Sequence, residues 1–225
     1  STGEGAAFVY LGSVAGMSSD AGWSAEGNQA NANFGNSVST AGDVNGDGYS
    51  DIIVGIKAYG SGGGAHVYHG GPYNVSPTPT LVRNSGLVGA RLGASVSNAG
   101  DINGDGFSDV VVGAPDASNG EANEGLAYIH YGGAGGINVV PDLTLEMNVA
   151  GAHFGRSVSS AGDVNGDGYA DVVIGAPDAG GTGRAYIYMG GGAGLNAAPS
   201  LVLNGSAGSE YGFAVCTAGD VDSDG

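Results

Sequence analysis

Short runs of β-branched residues punctuate this chain at regular intervals: "IIVG" at 52–55, "VVVG" at 110–113 and "VVIG" at 172–175. A run this short, apolar at successive positions, fits a strand buried on both faces. Around the second run the pattern predicts four strands. Strand A is "GASVSNAG" (93–100), rich in small residues, and strand B is "DVVVGAP" (109–115). Strand C is "LAYIHYGG" (126–133) and strand D is "DLTLEM" (142–147). Loops rich in Gly or containing Pro separate them, and no segment shows helical periodicity.

The same order recurs along the chain. "AFVYLG", "AHVYHG", "AYIHYG" and "AYIYMG" begin at Ala7, Ala65, Ala127 and Ala185, and Trp23, Leu81, Leu143 and Leu201 correspond. "AGDVNGDGYSDIIVG" (41–55) is echoed at 99–113 and 161–175, and in part by "AGDVDSDG" at 218–225. The first Asp of each copy falls at 43, 101, 163 and 220, spacings of 58, 62 and 57. Four strands per period of this length predict an all-β fold, a β-propeller of four-stranded blades, with strand A lining the crowded channel. A β-helix, the competing repeat architecture, has much shorter repeats. The divisions expected are a partial blade at 1–31, blades at 32–89, 90–151 and 152–208, and a partial blade at 209–225. That is 15 strands, about 3.75 blades. A four-bladed ring would lack one strand B, and seven blades at a period of about 59 residues need about 413 residues. The pattern therefore predicts an incomplete ring that associates with itself or is completed by further blades, because unpaired edges and uncovered blade faces seek partners.

Composition sharpens this picture. The 48 Gly could signal disorder, but they recur in register and so mark turns. Lys and Arg number 5 against 22 Asp and Glu, a net charge of −17. Twelve of those acids lie in the four acidic loops, and without them the charge is −17 + 12 = −5. Nucleic acid is a poor partner for so few basic residues, whereas cations are good ones. No apolar run is long enough for membrane insertion, and no signal peptide is visible. The one cysteine, Cys216, lies in the strand-like run "FAVCTAG", which predicts a buried small hydrophobe.

Each full loop places side-chain oxygens at positions 1, 3, 5 and 9 and glycine at position 6, as in Asp101, Asn103, Asp105, Gly106 and Asp109. A hard cation such as Ca²⁺ takes six to eight oxygens, and the turn at glycine lets the carbonyl of position 7 join them. The motif holds no sulfur or imidazole, so zinc and copper fit poorly, and Mg²⁺ fits such a cage less well than Ca²⁺. An EF-hand would need a Glu at position 12, where Val54, Val112 and Ile174 stand. A bare Asx-Gly turn needs only one or two such residues, not four oxygen ligands at fixed spacing.

"FG" at 34–35 and 154–155, the D-x-N-x-D-G-x-x-D loops and "GAP" at 113–115 and 175–177 together resemble FG-GAP repeats, which build the seven-bladed propeller of integrin α subunits and of many bacterial surface or secreted proteins. The resemblance implies three complete Ca²⁺ sites. The first would use Asp43, Asn45, Asp47, the Tyr49 carbonyl and Asp51; the second Asp101, Asn103, Asp105, the Phe107 carbonyl and Asp109. The third would use Asp163, Asn165, Asp167, the Tyr169 carbonyl and Asp171, and an incomplete fourth offers Asp220, Asp222 and Asp224. Gly55-Ile56-Lys57 in place of GAP and Leu92 in place of Phe depart from the pattern without touching a ligand.

Millimolar calcium and the resemblance both imply a secreted, periplasmic or cell-surface location. The expected function is calcium-stabilised adhesion or recognition of a protein or glycan, without chemistry. The binding face would be the B–C and D–A loops opposite the acidic ones, where Asn33, Arg91, His153 and Glu210 occupy one equivalent position. An enzyme acting on polysaccharide, lyase or hydrolase, is the alternative, since propellers host both. No nucleophile motif supports it, and His66, His69 and His130 fall in strand C, where Tyr and His exchange. A purely structural assembly module is the third reading.

Overall fold

The computed structural model describes residues 2–219. It opens with β1 (Ala6–Val9), a small hairpin of β2 (Gly12–Ser13) and β3 (Gly16–Met17), and β4 (Trp23–Glu26). β1 pairs antiparallel with β4, as expected for strands C and D of a first sheet, while the β2–β3 hairpin was not foreseen. Three four-stranded antiparallel meanders follow. The first holds β5 (Phe34–Gly42), β6 (Asp51–Ile56), β7 (Gly64–Tyr68) and β8 (Leu81–Asn84). The second holds β9 (Ser95–Gly100), β10 (Asp109–Ala114), β11 (Leu126–His130) and β12 (Leu143–Glu146). The third holds β13 (Ser157–Gly162), β14 (Asp171–Ala176), β15 (Arg184–Tyr188) and β16 (Leu201–Asn204). These are propeller blades, and the sole helical turn among the described residues is the 3-10 turn Ala179–Gly181. β9 lies between β5 and β13, so the small-residue strands form the inner layer.

The β-branched runs behave as their pattern requires. Every residue of β10 and β14 is buried. Successive side chains of a strand point to opposite faces, so each strand feeds two cores. Val110 and Val112 pack with Ile53, Val67 and Leu81 of the preceding blade, while Val111 packs with Phe154, Val172 and Tyr186 of the next. Phe34, Leu92 and Phe154 wedge the blades apart in three successive cores, so the Leu92 departure keeps the same structural job.

Glycine is required where blades meet. A Cβ on Gly113 would lie 2.0 Å from the Gly155 carbonyl oxygen, and one on Gly55 would lie 2.1 Å from that of Gly93. The glycine of one blade's GAP position thus abuts the FG glycine of the next, and the two motifs are halves of one backbone seam.

The segment "FAVCTAG" departs from expectation. It forms no strand, and Cys216 is exposed rather than buried. In the complete blades the equivalent segment pairs with the strand that follows the acidic loop, as β9 does with β10. Among the described residues no such strand flanks 213–219, and a Val215 N–H donated to Ser157 Oγ at 3.0 Å is one of its few ties to β13.

Candidate functional site

Each acidic loop begins at a register shift, between Thr40 and Gly42 in the first blade, at Asp109/Val110 in the second and between Ser160 and Gly162 in the third. The bulge splays the strand ends, and glycine at φ 73–82° (Gly42, Gly100, Gly162) turns the chain into the loop. Within the loop, position 1 organises the backbone. Asp101 Oδ1 accepts N–H groups of Gly104 (2.8 Å) and Asp105 (3.1 Å), and Oδ2 accepts that of Gly106 (2.9 Å). Asn103 Nδ2 donates to Asp105 Oδ2 at 2.9 Å, and the Phe107 N–H donates to Asp105 Oδ1 at 3.0 Å. The first loop repeats this set through Asp43, Asn45 and Asp47, and the third has its principal bonds through Asp163, Asn165 and Asp167.

Position 9 stands apart. Asp51, Asp109 and Asp171 are fully buried at the start of β6, β10 and β14. Asp109 Oδ2 accepts the Ile102 N–H and Oδ1 the Gly132 N–H, both at 2.8 Å, so one carboxylate ties the loop to the turn after β11. Asp51 bridges Val44 and Gly70 in the same way, and Asp171 bridges Val164 and Gly190. Burial pushes Asp109 up to about 7 despite those two N–H groups, with Asp105 and Asp101 adding to the rise. In Asp163 the N–H groups of the loop, led by Gly168, hold the carboxyl below its ordinary value.

This donor set suits a hard cation: oxygen only, rich in carboxylate, with an unused lone pair on most oxygens. Among the described residues no Lys or Arg pairs with a loop carboxylate. Nor do three or more acidic, His or Cys side chains converge there as a ready-made cluster, since the buried position-9 carboxylate is turned to the backbone. Asp220, Asp222 and Asp224 lie outside the described residues.

Two features of the loops escaped sequence reasoning. Consecutive loops are chained, the Ser108 N–H donating to the Asp43 carbonyl and the Ala170 N–H to that of Asp101, each at 3.0 Å. The position-7 ring covers its neighbour, for a Cβ on Gly46 would lie 2.7 Å from Phe107 and one on Gly104 2.5 Å from Tyr169. The recurrence of an aromatic residue at that position was the available signal. His69 lies just past β7, its Nδ1 3.2 Å from Asn45 Nδ2, whereas His66 and His130 are packed within β7 and β11.

At the opposite ends of the strands, Asn33, Arg91, His153 and Glu210 all adopt left-handed backbone, φ 49–56°. Non-glycine residues reach this conformation at a cost and seldom do so away from turns and sites. Arg91, His153 and Glu210 line one cavity of about 310 Å³, while Asn33 lines an adjoining one that shares Lys57, Arg91 and Asp116. Arg91 Nε lies 2.9 Å from Asp116 Oδ2, and His153 Nδ1 lies 2.7 Å from Asp178 Oδ2 with its Nε2 3.8 Å from Asp116 Oδ1. A polar chain therefore runs from Arg91 through Asp116 and His153 to Asp178, across two blades. Asp116 and Asp178 were not singled out by sequence, although "GAPD" at 113–116 and 175–178 repeats them.

The comparisons agree with this geometry. The FG-GAP repeat model matches residues 34–68, 92–130 and 154–188, one match per complete blade. Integrin alpha-V of Gallus gallus is 35% identical over 161 residues, 67% of this chain and 15% of that relative. Integrin alpha-PS5 of Drosophila melanogaster is 36% identical over 174 residues, 72% of this chain and 16% of that relative. The chain thus spans about a sixth of the length of these relatives.

Proposed function

Because the chain is an array of FG-GAP repeats in a β-propeller, we propose that it is a calcium-stabilised, non-catalytic recognition module of the adhesion type, working outside the cell. The observation that carries this reading is the division of labour between its two ends. One end repeats the same acidic loop three times, while the other varies its residues at equivalent positions and gathers Arg91, Asp116, His153 and Asp178 around one cavity. Invariant loops suit a structural cation, and varied loops on a fixed frame suit ligand recognition.

Ca²⁺ would be held by Asp43, Asn45, Asp47, Tyr49 (carbonyl) and Asp51, and by the equivalent residues of the next two loops. Its charge would offset carboxylates that otherwise repel one another. A purified panel of glycans and matrix proteins, probed with the native chain and Arg91→Glu in calcium and in chelator, tests the reading. Binding that needs calcium and is lost in Arg91→Glu supports it; ligands held equally well by the variant refute it.

Association through uncovered blade surfaces belongs to the same proposal. The groove between the first sheet and β5–β6 is lined by Phe8, Tyr10, Trp23 and Val38, of which Phe8 and Val38 are 57% and 60% exposed. Light scattering that finds a monomer at all concentrations would refute self-association.

A further inference from the structure

The chain has only five Lys and Arg residues, and three of them, Lys57, Arg91 and Arg156, line the same cavity of about 310 Å³ on the varied face. Two of the three break the repeat. Lys57 stands where the other blades have Pro115 and Pro177, and Arg156 stands where they have Asn36, Ala94 and Phe213. Arg91 is neutralised by Asp116 at 2.9 Å. Lys57 and Arg156 have no carboxylate partner among the described residues, although acids outnumber bases more than fourfold. The Arg156 guanidinium lies 4.7 Å above the Phe213 ring centre, which fixes the group and leaves its N–H donors unspent. These two cations come from blades on either side of the Arg91–Asp116 pair.

The same cavity is lined by Asp116, Asp178 and Glu210. Those acids would repel a ligand bringing negative charge alone, yet they accept hydrogen bonds well. A ligand that carries one carboxylate beside several hydroxyl donors satisfies both sets, and about 310 Å³ is room for one or two sugar rings rather than for a folded surface. Accepting the varied face as a recognition surface, we propose that this cavity binds a uronate residue of an acidic polysaccharide. Lys57 and Arg156 take the carboxylate, and Asp116, Asp178 and Glu210 take the ring hydroxyls.

Calorimetric titration of the calcium-loaded chain tests this with three probes: a galacturonate disaccharide, its dimethyl ester, and a tetra-aspartate peptide. The ester keeps the hydroxyls without the charge, and the peptide keeps the charge without the hydroxyls. The disaccharide should bind at least tenfold tighter than either, and its affinity should fall with added salt. Lys57→Ala and Arg156→Ala should each weaken it at least tenfold with unchanged melting temperatures, while Lys57→Arg retains most of it. No binding of the disaccharide at millimolar concentration, equal binding of ester or peptide, or full affinity in both alanine variants overturns the proposal. If the disaccharide is silent while another ligand is lost in Arg91→Glu, the uronate assignment fails and the recognition reading stands. If no ligand responds to Arg91→Glu, Lys57→Ala or Arg156→Ala, both fail.

Discussion

Replacing Asp171 by Ala separates two roles that the acidic motif combines. The Asp171 carboxylate accepts the Val164 N–H at 2.8 Å and the Gly190 N–H at 2.9 Å, and it is fully buried. Alanine leaves both donors without that partner. Val164 is exposed, so water can reach its N–H, and the cost of about 1–3 kcal/mol for an unsatisfied buried group falls mainly on Gly190, a loss of about 1–3 kcal/mol with no metal involved. Asp167 differs. It accepts the Tyr169 N–H and the Asn165 side chain in an exposed loop where water can replace it, so Asp167→Ala should cost less than about 1 kcal/mol without metal. In calcium at 100 times Kd both variants forfeit a further ~2.7 kcal/mol, the stabilisation from one site that binds only the folded form. Urea denaturation in excess chelator and in saturating calcium reads the two terms apart. Asp171→Asn, which keeps one carbonyl acceptor, should recover part of the loss. Chelator midpoints equal for native and Asp171→Ala, or an Asp167→Ala as damaging as Asp171→Ala, would refute the assignment of position 9 as a backbone clamp.

Other expectations follow from the same structure. Thermal melts in millimolar calcium and in chelator should differ by several degrees or more; coincident melts would remove calcium from the account. Gly113→Ala should unfold the chain or loosen the blade contact, because its Cβ would meet the Gly155 carbonyl at 2.0 Å, whereas Gly106→Ala at φ 89° meets nothing and should cost only about 1–2 kcal/mol of backbone strain, read by denaturation. Phe154→Ala should cost about 3–5 kcal/mol and Phe154→Leu far less, since Leu92 fills the equivalent wedge. Burial lowers His130 to about 4, with its Nδ1 2.9 Å from the Asn138 carbonyl, while the unfolded chain keeps the usual 6.5. The unfolded state therefore binds a proton first as pH falls, so this stability is present above 6.5 and drains away between 6.5 and 4, about 3 kcal/mol in all. His130→Tyr, the residue at the equivalent Tyr68 and Tyr188, should flatten that part of the pH–stability curve.

The sequence by itself determined the elements that local rules govern. β-branched runs at a fixed period gave β6, β10 and β14, and Asx-Gly loops gave the turns, because strand burial and turn geometry depend on a few neighbouring residues. The four equivalent left-handed residues were also legible, as one repeated position filled four ways. Other features needed the folded chain. That the Gly113 and Gly155 motifs form one seam and that Lys57, Arg91 and Arg156 share a cavity depend on contacts 34 to 99 residues apart, and that Asp171 faces backbone rather than a neighbouring acid depends on the turn holding Gly190, 19 residues away. Cys216 shows the same limit from the other side. Its segment reads as a strand, but a strand is completed by its partners, and in the structure Cys216 is exposed and residues 213–219 form no strand among the described residues.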